Sequence, residues 1–510
     1  MATKKVYLNT IAQLAWKFST AFISIFLIKI LTNYLSLDDY GLYSKVYNYL
    51  SIFAVIADLG LFTITIREIS ANKEDRALVQ KIIWNMMTIR ASLWILIIFL
   101  SVAIAYCLPW YNSKLALYSI FITSFFVFFG LMNSAIISLL QAYLKTEFTF
   151  ISTTAWKISN FLFMLFIVYI VYPKWYLQSH PNLKDTAFLW IMFAWVFGNL
   201  VMTALVYMYW RKVERITFAF DKKHLKNLIK ESIPYWLAMF LNVIYFKVDV
   251  IILSIMESKN VVDKSIALYS VPMKIVEVWM LFWWLFLQSM LPLFTKAVKD
   301  KSKEDLDLLV GKSYKLLFTF WMAIVGFSLV NGYEILRLVA TPEYLDHSKY
   351  IWNSLDSYRI VVFVFLFCFI SSIFTYLLIA SSEQSRLLKL NFYLTIINVV
   401  LNILLIPKFS FIWSSVATLL SEVVMLINTY IASRHIYKFN FSPSFTFLTL
   451  LFSFLAWFSA YFVRTFLYSC WFSFIVVLIL CFITFSLVYF SWVVWFFYRE
   501  KALKLLKNFT

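Results

Sequence analysis

The sequence predicts an all-α membrane protein with about fourteen spanning helices. Of the 510 residues, 63% are hydrophobic and only 14% are charged. The mean hydropathy is +0.81, which is far above the range of soluble domains. Apolar runs long enough to cross a bilayer as helices recur along the chain, separated by short charged or proline-containing segments. These observations exclude a soluble globular fold.

The apolar runs give the order of the expected spans. The first run follows Lys4 and Lys5 and is longer than the apolar core of a signal peptide, so we expect it to stay as a span. The fourteen spans are expected near residues 8–34, 40–66, 82–107, 115–140, 148–172, 186–210, 232–256, 266–294, 312–332, 358–381, 387–406, 411–434, 443–466 and 470–497.

The net charge of +19 is distributed unevenly along the chain. If the spans alternate in direction, most of the 45 Lys and Arg residues fall on the side that holds the N-terminus. The positive-inside rule then predicts that both termini are cytoplasmic. We attribute this charge to topology first and to contact with anionic membrane lipids second, and not to nucleic acid. The four cysteines show no C-x-x-C spacing, so no metal site, cofactor or disulfide framework is predicted.

Two similar segments predict an internal repeat. Leu42-Tyr43-Ser44 and Leu268-Tyr269-Ser270 each open a span after a short outer loop, and the two halves share their orientation. We therefore expect a six-helix lobe over residues 1–210, a basic cytoplasmic linker over 211–231 and a second six-helix lobe over 232–436. Residues 437–510 are expected to form two additional helices and a basic tail, as an appendage facing lipid or a partner.

Polar residues recur at helical spacing inside seven of the spans. Such stripes either bond neighbouring helices to each other or line a hydrated cavity. Because five of the seven contain a charged residue, the sequence favours a hydrated interior. Examples are Ser44, Ser51, Asp58 and Thr65 on span 2, Thr149, Thr153, Lys157 and Asn160 on span 5, and Asn391, Thr395, Asn398 and Asn402 on span 11.

Eleven ionisable residues lie within the predicted spans. A charge at the centre of a span costs roughly 2.5–3.5 kcal/mol when it faces lipid, so the deep ones are expected to be paired or hydrated. Lys29 and Lys45 lie near outer ends and are expected to snorkel to the interface. The first lobe holds more cations and the second more anions; the full set is Lys17, Lys29, Lys45, Asp58, Arg90, Lys157, Lys247, Asp249, Lys274, Glu277 and Glu422.

The cationic first lobe predicts an anionic ligand, because Lys and Arg compensate phosphate charge. The candidate ligand-binding residues are Lys17, Arg90, Lys157 and Lys274. The candidates for gating or ion coupling are Asp58, Asp249, Glu277 and Glu422. Lys274 and Glu277 are three residues apart on one helix, so they can also pair with each other for a purely structural reason.

Several motifs resemble the polysaccharide biosynthesis (Wzx-like) oligosaccharide flippases of the multidrug/oligosaccharidyl-lipid/polysaccharide (MOP) exporter superfamily. In the first half the resemblance covers LTNYLSLDDYGLYS, ADLGL and IREIS, and in the second half SIPYWLAMFLNVIYFKVDVIILS and ALYSVPMK. It extends over about residues 1–300 in pattern and over the remainder in hydropathy. Sparse glycine and fourteen spans, where many such flippases have twelve, are departures from the family.

The resemblance implies a transporter and not an enzyme. Its expected activity is translocation of an undecaprenyl-diphosphate-linked oligosaccharide, such as an O-antigen, capsule or exopolysaccharide repeat unit, across the cytoplasmic (inner) membrane of a bacterium by alternating access. The expected partners are this anionic lipid-linked cargo, membrane lipids, and a polysaccharide polymerase and glycosyltransferases.

Two alternative functions are open at this point. A polytopic glycosyltransferase or polymerase would use Asp38 and Asp39 of the first outer loop or the acidic outer segment 333–357, which contains Glu334. The first loop is only about six residues long, so Asp38 is expected to cap the second helix instead. A cation-coupled multidrug exporter would carry organic cations, which the positive first lobe opposes.

Overall fold

The computed structural model is helical throughout the residues that it describes, which are 22–143, 145–213, 220–439 and 442–507. Within these ranges eleven helices are long and apolar enough to cross a membrane, and Phe22–Tyr34 is a shorter apolar helix. Helices occupy all fourteen predicted spans over the part of each that is described. The predicted all-α polytopic class is therefore confirmed.

The first compact unit is Met1–Ala267. Helix α8 packs against α5 and α6, helix α5 also contacts α3 and α4, and α2 packs against α9. A π-helical turn, Ile167–Val171, continues α6. The helices of this unit are α1 (Phe22–Tyr34), α2 (Leu37–Asp58), α3 (Leu61–Ala71), α4 (Arg76–Cys107), α5 (Lys114–Ala142), α6 (Thr146–Phe166), α7 (Lys174–Ser179), α8 (Lys184–Val213), α9 (Lys222–Met256) and the first turn of α10 (Val262–Lys299).

The second predicted span is interrupted, and this break is the main departure from the expected helices in the first unit. Helix α2 ends at Asp58, and α3 begins at Leu61 after Leu59 and Gly60, whose φ angles are 50° and 65°. A Cβ atom at Gly60 would lie 2.6 Å from the backbone nitrogen of Trp236 in α9. Glycine is required here by both the left-handed backbone and the close approach of α9.

The start of α2 differs from the sequence-based expectation in one respect. Ser36, and not Asp38, is the N-cap, because the Ser36 hydroxyl accepts a hydrogen bond of 3.2 Å from the Asp39 amide. The same hydroxyl donates to the Asp39 carboxylate over 2.6 Å. The predicted Asp38 cap is therefore wrong, and both acidic residues lie in the first helical turn, where they favour the positive end of the helix dipole.

The second compact unit is Leu268–Thr510. Helix α14 packs against both α12 and α13, and α11 packs against α12. The unit contains the rest of α10, then α11 (Lys303–Val339), α12 (Ser354–Ala380), α13 (Gln384–Phe409), α14 (Phe411–Ser433), α15 (Pro443–Ser469) and α16 (Phe474–Lys507). The division between the units lies inside α10, whereas the predicted lobe boundaries follow the sequence repeat and stay a prediction.

The last two helices are integrated into the second unit by way of α11. Helices α15 and α16 pack against each other and against α11. Their shared core contains Val330, Ala456, Cys481 and Phe485. A Cβ atom at Gly326 of α11 would lie 2.7 Å from the Ser453 hydroxyl, so the helices approach closely at this point. The pair is therefore bound to α11 along one face, and its other face carries exposed aromatic side chains such as those of Phe447, Phe458 and Phe462.

The polar stripes on α13 and α14 bond these two helices to each other. Asn402 donates to the Asn398 carbonyl over 2.9 Å and accepts from the Ser414 hydroxyl over 2.8 Å. Asn398 donates to Ser421 over 3.4 Å. All four side chains are buried. At these positions the hydrated interior that we expected is replaced by hydrogen bonding between helices.

Candidate functional site

A buried ion pair joins Asp58 to Arg90 at the break between α2 and α3. Arg90 extends from α4 and is fully buried, while the Asp58 side chain is 16% exposed. The guanidinium also donates to the Leu131 carbonyl of α5 over 2.8 Å and to the Ser134 hydroxyl. Arg90, on α4, thus links the end of α2 to α5 at the break between α2 and α3.

This geometry changes how Arg90 can act. A guanidinium with no exposed area, whose terminal nitrogens donate to protein acceptors, cannot contact a ligand in this conformation. In this conformation Arg90 fixes Asp58 and compensates its charge. Ligand contact by Arg90 stays a prediction that requires the pair to open. The sequence could not reveal this pairing, because the partners are 32 positions apart on different helices.

Lys157 is the predicted ligand-binding residue of the first unit that the structure leaves partly accessible. It is half-buried on α6. Its ammonium group donates to the Ser24 hydroxyl of α1 over 3.1 Å and lies 5.9 Å from the centre of the Trp156 ring. A hydrogen bond to a neutral hydroxyl orients the ammonium without cancelling its charge. Lys17, the other cation predicted to bind here, lies outside the described residues.

Lys45 does not snorkel as the sequence suggested. Its side chain is 2% exposed and forms an ion pair with the Asp263 carboxylate at 2.5 Å. It also donates to the Trp110 carbonyl over 3.0 Å, and its ammonium lies 5.4 Å from the centre of the Tyr111 ring. The expectation was wrong because an acid at the start of α10 lies close enough to compensate the charge inside the protein.

The second unit contains the predicted pair on α10. The Lys274 ammonium lies 2.8 Å from the Glu277 carboxylate, and both side chains are about one-third exposed. The predicted intrahelical pairing is thus confirmed, while any part in ligand binding or coupling stays a prediction. Glu422 on α14 is 3% exposed. In the first unit, Asp249 on α9 is 1% exposed. The gating roles of these acids also stay predictions.

Glu334 was expected in an outer segment, but the structure places it in a buried charge cluster within α11. Glu334 belongs to α11 and is fully buried, so it is not part of an outer loop. Its Oε1 atom accepts from the Arg464 guanidinium over 2.8 Å and from the Tyr468 hydroxyl over 2.7 Å. The proposed polymerase-like use of Glu334 is therefore wrong. Among the described residues, no three His, Cys, Asp or Glu side chains are placed to hold a metal ion.

An exposed cluster surrounds Glu383 in the turn between α12 and α13. The His435 ring nitrogen Nε2 lies 2.5 Å from one carboxylate oxygen of Glu383, and Arg386 lies 3.4 Å from the other. Partial burial pushes the pKa of Glu383 upward, but the hydrogen bonds and charges of His435 and Arg386 outweigh it and lower the pKa below its ordinary value. The cluster connects this turn to the end of α14.

The described helices form a multi-pass membrane fold that is similar to solved structures of the MOP superfamily. The lipid II flippase MurJ in an inward closed conformation aligns with a TM-score of 0.71 at 15% identity, over 95% of this chain and 100% of that chain. An inward-facing multidrug resistance MATE transporter aligns with a TM-score of 0.65 at 13% identity, over 84% and 97%. A MOP superfamily transporter from Pyrococcus furiosus aligns with a TM-score of 0.57 at 13% identity, over 83% and 94%.

A match of the sequence to a family model identifies the family of this protein. The model of the polysaccharide biosynthesis protein family matches residues 6–298, which is more than half of the chain. The chain belongs to this family, as its motifs indicated. No curated protein sequence matches it. Because the identities to the solved structures are low, those structures show the fold alone.

Proposed function

We propose that this protein is a flippase that moves an undecaprenyl-diphosphate-linked oligosaccharide across the cytoplasmic membrane. The observation that carries the proposal is membership of the polysaccharide biosynthesis protein family on a MOP transporter fold. Sugar repeat units for such polymers are built on a lipid carrier, and the polar part of that carrier cannot cross a bilayer unaided. A cytoplasmic location of both termini is part of the same proposal.

Lys157 is the residue that we assign first to the diphosphate or to acidic sugars. Its ammonium is half-buried, oriented by Ser24, and located on a polar face of α6. A positive charge in a partly dehydrated setting attracts phosphate more strongly than the same charge in bulk water. Lys17 is assigned to the same task by its position in the sequence. Lys274 is kept as a further candidate.

Asp58 and Arg90 are assigned to holding the conformation. Their pair locks the interrupted α2–α3 region to α4 and α5, so opening it would free both a guanidinium and a carboxylate. Asp249, Glu277 and Glu422 are the further candidates for gating or for binding a coupling ion.

The test is a translocation assay in proteoliposomes that contain a fluorescent lipid-linked oligosaccharide. Lys157→Ala and Lys17→Ala should each lower the initial rate by about 10- to 150-fold, since one charge-assisted contact is worth about 1.5–3 kcal/mol. Lys29→Ala is the matched control, because Lys29 is an exposed cation on α1. Unchanged rates in both variants, with normal amounts of folded protein, would contradict the assignment of the cationic site.

A multidrug exporter is the second candidate, because MATE transporters share the fold. Membership of the polysaccharide biosynthesis protein family favours the flippase, because both solved structures share only the fold. Efflux of an organic cation dye by the same proteoliposomes, without transport of the lipid-linked oligosaccharide, would reverse this preference.

A further inference from the structure

Two arginines lie at one end of the helix group α11, α15 and α16. Arg464 lies near the end of α15, six residues before the C-cap residue Cys470, and Arg337 is in the last turn of α11. The Arg337 guanidinium lies 5.7 Å from the centre of the Phe474 ring, at the start of α16. We refer to Arg337 and Arg464 as the arginine pair.

Arg464 is held in a fixed orientation. Its Nε atom donates to the fully buried Glu334 carboxylate over 2.8 Å. Its guanidinium carbon lies 5.3 Å from the centre of the Tyr468 ring, and the Tyr468 hydroxyl donates to the same carboxylate oxygen. In the described part of the chain, no protein group accepts a hydrogen bond from the two terminal Nη nitrogens of Arg464. The side chain is 26% exposed, so these donors can be reached from outside.

Arg337 adds a second guanidinium on the same side. It lies one turn after Glu334 on α11, so the two side chains share a helix face. Over the described ranges, the Arg337 guanidinium forms no hydrogen bond or ion pair with the protein, and it lies beside the Phe474 ring. The two guanidinium groups and the one carboxylate of Glu334 together carry a net positive charge.

The surroundings are those of a lipid-facing surface. Trp471, in the turn between α15 and α16, is 95% exposed, and Phe462 and Phe466 on α15 are 68% and 59% exposed. Tryptophan side chains favour the boundary between acyl chains and head groups. At that depth the anions available to an unpaired guanidinium are lipid phosphates, which arginine binds with two parallel hydrogen bonds.

We propose that the arginine pair is a binding site for the phosphate of an anionic phospholipid head group, with the acyl chains lying along the exposed aromatic face of α15. Glu334 acts as a positioning residue, because it orients Arg464 through Nε and leaves the Nη edge for the ligand. This lipid is structural and separate from the transported cargo.

Neither the positive-inside rule nor the helix dipole of α11 explains why both arginines are at this end of the helices. The alternation of the spans predicts that this end is the non-cytoplasmic one, where the positive-inside rule disfavours arginine. The C-terminal end of α11 would stabilise Arg337 by about 0.3–1 kcal/mol, but it offers nothing to Arg464, which a buried acid holds in place. A bound phosphate would serve both guanidinium groups.

The experiment is native mass spectrometry of the purified full-length protein in detergent, titrated with phosphatidylglycerol or with phosphatidylcholine. The wild type should retain one phosphatidylglycerol in preference to phosphatidylcholine. Arg337→Gln should weaken retention by about tenfold, since a hydrogen bond to a charged group is lost. Arg464→Lys should do the same, because one ammonium cannot serve both Glu334 and the phosphate in a fork, yet it still compensates the buried acid.

The control is Arg359→Gln, which removes an exposed arginine near the start of α12. It should leave retention unchanged. The melting temperature without added lipid should stay the same in Arg337→Gln, while the rise caused by phosphatidylglycerol should be lost. Equal retention in all variants, an equal loss in Arg359→Gln, or complete displacement of the lipid by millimolar inorganic phosphate would each overturn the proposal.

Discussion

The Asp58–Arg90 pair gives the sharpest test of how the first unit is held together. Arg90 is fully buried, so removing the charge of its partner leaves an uncompensated guanidinium inside the protein. Breaking a buried pair on one side costs about 3–5 kcal/mol. For Asp58→Asn we expect a value near 3 kcal/mol, because the asparagine oxygen, the Leu131 carbonyl and Ser134 can still accept hydrogen bonds from Arg90.

The reverse change should cost less. In Arg90→Gln the Asp58 carboxylate keeps its 16% exposure and can bind water, so we expect about 1–2 kcal/mol. The double variant Asp58→Asn/Arg90→Gln removes both charges. Its cost should be at least about 1 kcal/mol smaller than the sum of the two single costs, which is the coupling expected for residues in contact.

Free energies of unfolding can be measured by SDS titration of the purified protein in mixed micelles, followed by tryptophan fluorescence. The control is Asp300→Asn, which makes the same substitution at an exposed position after α10 and should change stability by less than about 0.5 kcal/mol. Additive effects of the two single variants would refute the reasoning, as would a larger cost for Arg90→Gln than for Asp58→Asn.

Three further predictions concern single positions outside this pair. Gly60→Ala should destabilise the protein by about 1–3 kcal/mol, because φ is 65° and the new Cβ would meet the α9 backbone; Gly130→Ala, in open space on α5, is the matched control and should be neutral or slightly stabilising on the same SDS titration. Lys45→Met should lower the melting temperature by leaving Asp263 without its buried partner, and adding Asp263→Asn should restore part of the loss; no rescue would contradict the pair. The lowered pKa of Glu383 means that its charged form stabilises the fold above the ordinary pKa and that this contribution is lost as pH falls through the lowered value. Glu383→Gln should therefore reduce the melting temperature at neutral pH and approach the wild type only below the ordinary glutamate pKa, which a series of melting curves from about pH 2.5 to 8 would check.

The sequence by itself determined the class of the protein and the places of its helices. Apolar length and period are local properties, so each spanning helix could be located from its own residues. The Lys274–Glu277 pair could also be predicted from the sequence, because residues three positions apart on one helix are neighbours on its surface. The motifs that identified the family are local for the same reason.

The tertiary structure decided which charges meet. Arg90 forms an ion pair with Asp58, Lys45 with Asp263 and Arg464 with Glu334, and in each case the partner lies on another helix. No period in the sequence encodes such pairs, because they depend on how helices pack and rotate against one another. The break at Gly60 depends in the same way on the approach of α9. The sequence could show that buried charge must be compensated, and only the packed helices show by which partner.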